Sequence, residues 1–152
     1  MEDVALICDC LKNNKTDVAR VLIEKTLKHD LKLYYYYLGL SCSTDKDYNK
    51  AILFFNASIN NGLNNFLLSY NLGVAHLGKK DYDRAEKYFN YCIEQNNEYV
   101  NAYINLAYIY MKKGDLKRAY RVIKTAESVC NDDRILDIEK KLLNSLLSNI
   151  KI

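Results

Sequence analysis

Five cysteines, Cys8, Cys10, Cys42, Cys92 and Cys130, together with His76, are the side chains of this 152-residue sequence best suited to chemistry. Their spacing turns them away from it. An odd number of cysteines at these intervals matches neither a zinc site nor a disulfide framework. Cys8 and Cys10 are close in sequence, yet on a helix residues i and i+2 diverge by about 200°. Cys42 and His76 stand 34 residues apart. A thiol beside an imidazole makes a nucleophilic pair where the two meet in an open cleft. Both, however, occupy one position of a repeating pattern that faces the interior between helices, so packing is their expected role. The sequence contains no glycine-rich phosphate loop, no metal-ligand cluster and no paired carboxylates on a common wall. No metal, cofactor or catalytic residue is therefore expected, and the protein is read as a non-enzyme. Unpaired, mostly buried thiols fit a cytoplasmic location.

The elements that position these residues follow from composition and period. Hydrophobic residues make up 49% of the chain and the formal net charge is +3, with no proline. That suits one domain of ordinary size with a real core and no rigid linker. The N-terminal stretch MEDVALICDCLKNN has early acids and no basic n-region, unlike a signal peptide. No apolar run reaches the length needed to span a membrane.

The decisive pattern is internal repetition. Segments 32–65, 66–99 and 100–133 align without a gap, each starting 34 residues after the one before. Leu38, Leu72 and Leu106 coincide, as do Gly39, Gly73 and Ala107. Ala51, Ala85 and Ala119 follow, then Phe55, Phe89 and Ile123. The apolar spacing predicts two helices per repeat, A and B, joined by the polar turns TDKDYN, GKKDYD and KKGDLK. Asp47, Asp81 and Asp115 stand where an N-cap of helix B belongs. Small residues allow close helix crossing, and large ones fill the space beside it. So short a helix pair buries its apolar faces only by stacking on neighbours, which is the logic of a solenoid. Residues 1–31 read as a degenerate repeat with helices at 2–12 and 16–29; Ala19 lies 32 residues before Ala51, so the register slips by two. Residues 134–152 read as a capping helix, and the whole chain as a single domain.

These residues resemble the tetratricopeptide repeat, a 34-residue helix pair carrying an aromatic, Leu-Gly, Tyr, Ala, Phe and a second Ala. Tyr35, Leu38, Gly39, Tyr48, Ala51, Phe55 and Ala57 carry the likeness in the first repeat. Leu72, Gly73, Tyr82, Ala85 and Phe89 carry it in the second, and Tyr103, Leu106, Tyr110, Ala119 and Ala126 in the third. The sequence departs from the pattern at Ser69, His76 and Cys92, and at Leu63, Asn97 and Asn131, which replace the closing proline. The resemblance implies an all-α, right-handed superhelical solenoid of antiparallel helix pairs. It also implies a concave groove, lined by the A helices, that binds a peptide or helical segment of a partner protein, as an adaptor or assembly factor would.

By position, that groove would take Leu33, Tyr36, Tyr37 and Leu40 from the first A helix. The second would supply Leu67, Tyr70, Asn71, Val74 and Leu77. The third would supply Asn101, Ile104, Asn105, Tyr108 and Met111. Asn71 and Asn105 share one repeat position, and an amide can both donate to and accept from a peptide bond. They could equally satisfy neighbouring groups of the protein itself. In the run YYYY, Tyr35 is assigned to packing, Tyr36 and Tyr37 to the groove, and Tyr34 has no assignment. A subset of the family clamps the EEVD tails of chaperones with lysines and arginines. Here those places hold Tyr36, Leu40, Asn71, Asn101 and Asn105, so no such binding is expected.

Two other surfaces enter the reading. The C-terminal helix carries one stripe of Ile135, Ile138, Leu142 and Leu146 and another of Leu136, Leu143, Leu147 and Ile150. The second stripe either packs on the preceding helix or, through Leu143, Leu147 and Ile150, meets a partner or a second copy in a homodimer. The stretch 111–124 holds six cations, Lys112, Lys113, Lys117, Arg118, Arg121 and Lys124. It is read as a solvated face, with nucleic acid or an acidic partner as the alternative.

Overall fold

In the computed structural model, which describes residues 2–148, the chain forms nine α-helices over those residues. Helices α1 (Glu2–Lys12) and α2 (Thr16–Thr26) make the first pair. The next pairs are α3 (Leu31–Thr44) with α4 (Tyr48–Asn60), α5 (Phe66–Gly78) with α6 (Tyr82–Gln95), and α7 (Val100–Lys112) with α8 (Leu116–Val129). Helix α9 (Asp133–Ser148) packs on α8. Each pair is antiparallel and touches mainly the next one, so the molecule is an all-α solenoid.

The repeat signature does the work expected of it. Asp47, Asp81 and Asp115 cap α4, α6 and α8 by accepting from the backbone N–H of Lys50, Arg84 and Arg118. Ala51, Ala85 and Ala119 are fully buried at the crossings, beside Phe55, Phe89 and Ile123. A Cβ on Gly39 would lie 2.5 Å from the ring of Phe55, and one on Gly73 would lie 2.7 Å from Phe89. Only glycine lets these helices meet over a phenyl ring. In the third repeat the ring becomes Ile123 and the glycine becomes Ala107, a matched exchange that keeps the space filled.

Each A–B turn contains one residue in the left-handed region, namely Asn14, Lys46, Lys80 and Gly114. Their spacing locates the two-residue slip of the first pair. The turn itself is regular, and α2 is short, with 11 residues against 13 in α4. The helix expected over 16–29 therefore ends at Thr26. Leu27 caps it through an N–H bond to the carbonyl of Ile23, and Asp30 already caps α3. Too few residues remain between these caps for a further helical turn.

Cys42 and His76 are both buried. His76 bonds Asp81 through Nδ1 at 3.3 Å and stacks on Tyr88, so no thiol–imidazole pair forms. Burial lowers the His76 pKa, opposed by Asp81, and burial raises that of Cys42. The five thiols are free. Among the described residues no His, Cys, Asp and Glu cluster could hold a metal, and no helix is long and apolar enough to cross a membrane.

Candidate functional site

The A helices α3, α5 and α7 line one face, and the fourteen groove positions fall into two groups. In α3, Leu33, Tyr37 and Leu40 are half-buried against the cluster formed by α1 and α2. Tyr36 lies against Phe55, with ring centroids 6.0 Å apart. These residues serve largely as the seam between the first pair and the rest. Tyr34, unassigned from sequence, reaches back to the carboxylate of Glu24 in α2, and Tyr35 stacks on Phe54. The tyrosine run thus serves four separate contacts, as consecutive helical residues must.

Helices α5 and α7 are more open. Leu67 is exposed, and Tyr108 and Met111 each keep 43% of their surface accessible. Tyr70 lies against Phe89 and Tyr99. Val74, Leu77 and Ile104 are half-buried against the main core. Asn101 accepts through Oδ1 from Arg134 at 2.9 Å, which ties the groove to α9.

The two amides form a cross-repeat ladder. Asn71 Nδ2 donates to the Tyr36 hydroxyl at 2.9 Å, and Asn105 Nδ2 donates to the Tyr70 hydroxyl at 3.2 Å. Each bond joins an A helix to the one before it. The hydroxyl accepts here, so its own proton remains free to donate, while Oδ1 of either asparagine has no protein partner among the described residues. Per repeat the groove therefore offers one acceptor and one donor held in place, as a peptide backbone requires. Burial is the main cause that raises the Tyr36 pKa to about 12 and also raises that of Tyr70.

The other surfaces resolve differently. Of the cations in 111–124, Lys113 pairs with Asp83 and Glu86, Arg118 with Asp115, and Lys124 with Glu127 and Glu139. Much of that charge is thus compensated. On α9 the first stripe, with Ile135 and Leu142, is buried. The second stripe does not pack on α8: Leu136 and Leu143 are each 42% exposed and Leu147 is 56% exposed. Ile150 lies outside the described residues.

A stack of helix pairs with a ladder-lined concave face defines a helical-repeat solenoid of the kind that holds peptides. The particular kind follows from comparison: residues 76–135 match the family model of the tetratricopeptide repeat. The chain is a tetratricopeptide-repeat solenoid, by sequence over 76–135 and by fold over the rest of its described length. A chain of the APC/C hetero-tetramer Cut9–Hcn1 superposes with a TM-score of 0.80 at 19% identity, covering 94% of this chain and 30% of that longer one. YrrB, described as a TPR protein with an unusual peptide-binding site, gives 0.66 at 19% identity, covering 84% of this chain and 67% of its own. The first TPR of Spaghetti (RPAP3), bound to the HSP90 peptide SRMEEVD, gives 0.67 at 19% identity, covering 76% of this chain and 95% of its own. A search of curated proteins by sequence gives no significant match.

Proposed function

We propose that the protein is a non-catalytic adaptor that holds an extended or helical peptide segment of a partner protein in the groove of α5 and α7. The observation that carries this reading is the ladder of Asn71 and Asn105, whose free Oδ1 atoms sit beside tyrosine hydroxyls with free protons. Exposed Leu67, Tyr108 and Met111 would supply apolar burial, with the amides setting register. Peptide binding by YrrB and by the Spaghetti domain is in keeping with this use of the fold. The absence of cations at Tyr36, Leu40, Asn101 and Asn105 argues against EEVD tails as ligands. The free thiols fit a cytoplasmic setting.

The test is selection of binders from a random peptide display library on the wild-type protein. Enriched peptides should lose about tenfold or more in affinity on Leu67→Ala/Asn71→Ala/Asn105→Ala, since each lost hydrogen bond contributes roughly 1 kcal/mol. Unchanged affinity in that variant would refute the groove.

A second reading has its own observation, the outward stripe of Leu136, Leu143 and Leu147. Such a stripe suits self-association through α9. Light scattering of the wild type beside Leu143→Glu/Leu147→Glu decides it: a dimer mass that falls to monomer supports self-association, and two monomeric masses end it.

A further inference from the structure

Between α5 and α7, towards the A–B turns, the groove deepens into a cavity of about 440 Å³. Its walls are mainly aromatic and aliphatic. Tyr108, Val74 and Leu77 come from the A helices, and Tyr48 and Tyr82 from the first turns of α4 and α6. Gly78 shapes one wall, because a Cβ there would fall 2.3 Å from the ring of Tyr48. The tyrosine therefore lies flat against α5 where any other residue would push it away. Asn105, whose Oδ1 is free, is the amide of this cavity. The volume lies in the range of small-ligand pockets, which bury an apolar body and fix it with a few polar groups.

The charge around the mouth is uncompensated. Lys80 lines the cavity, and Lys112 holds its Nζ 5.3 Å from the centroid of Tyr108. Among the described residues Lys79, Lys80 and Lys112 make no ion pair, whereas Lys50 is held by Asp47 and Lys113 by Asp83 and Glu86. No carboxylate lines the cavity. An apolar pocket rimmed by unpaired ammonium groups is complementary to an apolar side chain accompanied by negative charge.

We infer that this cavity is an anchor pocket that takes a large apolar or aromatic side chain of the partner peptide, with a neighbouring acidic residue held by Lys80 and Lys112. The inference rests on the groove being a peptide site and names the class of peptide. It needs no C-terminal carboxylate, since the cations sit at the A–B turn side of the groove and the acid is internal to the segment. A nucleic acid fits less well. A phosphate chain needs cations along its track, and α5 has no lysine or arginine, while α3 and α7 have only Lys32 and Lys112.

The experiment uses the full chain, labelled with nitrogen-15, and short blocked peptides in a Gly-Ser frame with cores Phe-Asp-Glu, Phe-Asn-Gln and Phe-Lys-Lys. A short oligothymidylate serves as the nucleic-acid probe. The Phe-Asp-Glu peptide should shift amide signals within residues 74–82 and 105–112. At low salt it should bind about fivefold to tenfold tighter than the Phe-Asn-Gln peptide, the scale of two exposed charge pairs. Lys80→Ser/Lys112→Ser should abolish that advantage, and Tyr108→Ala should weaken both peptides. Equal affinity of the acidic and amide peptides, shifts confined to other residues, or tighter binding of oligothymidylate would overturn the inference. Selected library peptides that depend on Asn71 and Asn105 but ignore Lys80, Lys112 and Tyr108 would sink this pocket and leave the groove standing. If no peptide of either kind binds the A-helix face, both fail.

Discussion

Helices α3 and α7 hold the same place in repeats two steps apart, yet they present different surfaces. In α3 the groove positions Leu33, Tyr37 and Leu40 lie against α1 and α2, and Tyr36 lies against Phe55. In α7 the equivalents of Leu40 and Ser43, Tyr108 and Met111, are each 43% exposed. The helices themselves do not cause the difference. Their neighbours do: α3 meets a pair with a shortened B helix and is touched by α1, while α7 is bordered by the single helix α9. A repeat position is therefore a place in a sequence, and the adjoining pair decides whether it becomes seam or surface.

The sharpest way to break this comparison is to truncate one tyrosine from each side. Tyr36→Ala removes a ring packed on Phe55 together with the acceptor of Asn71. It should cost about 2–4 kcal/mol, in the range of large-to-small changes in packed sites. Tyr108→Ala should cost less than about 1 kcal/mol, as exposed substitutions do. Urea unfolding followed by circular dichroism measures both. Equal costs would mean that α3 and α7 are alike after all.

A second pair of changes contrasts the glycine repeats with the third. Gly39→Ala and Gly73→Ala each press a methyl into a buried phenyl ring. Each should cost about 1–3 kcal/mol as overpacking. Phe89→Ile added to Gly73→Ala should recover part of that loss, because Ala107 over Ile123 is the same combination already in place. A double-mutant cycle in the same unfolding assay gives the coupling, and additive costs would show that ring and glycine are independent.

Which parts of this were legible in the sequence follows from which forces are local. The register of the three repeats and the caps at Asp47, Asp81 and Asp115 rest on period and on side-chain to backbone bonds three residues long, so residue order shows them. The end of α2 at Thr26 was not visible, because apolar residues continue to Leu27 and only the competing cap at Asp30 stops the helix. The amide ladder was half visible. Asn71 and Asn105 stood out, and their partners Tyr36 and Tyr70 each lie 35 residues earlier, a recurring offset that signals a bond once the register is known. The anchor cavity was invisible, since it depends on Tyr48 reaching Gly78 of the next repeat.

The buried hydroxyls also distinguish the two sides by pH. Tyr36 holds its proton in the folded protein up to about 12, against 10.0 for an ordinary tyrosine. Between those values the unfolded chain has released the proton and the folded one has not, so the folded state binds more protons. Stability contributed by the neutral phenol is therefore complete below pH 10.0 and is lost as pH rises through about 12. Tyr70 and Tyr34 are raised as well and share the slope. Tyr36→Phe should make the alkaline loss shallower, measured as unfolding midpoints across that window beside tyrosinate absorbance. An unchanged slope would show that Tyr36 is not shielded by the seam.

The smallest expected effect compares the two rungs of the ladder. Asn71→Ala and Asn105→Ala each remove one hydrogen bond to a tyrosine, which contributes about 0.5–1.5 kcal/mol net. The first rung should cost more. Its bond is shorter, at 2.9 Å against 3.2 Å, and desolvation by burial is the largest cause of the high Tyr36 pKa. A hydroxyl that loses its partner in the seam has less water to replace it. Tyr36→Phe in the Asn71→Ala background should then add almost nothing, whereas alone it leaves the amide unpaired. If instead the Asn105 rung proves costlier, the open side of the groove is also the side that holds the stack together, and its amides are structural before they are available to a peptide.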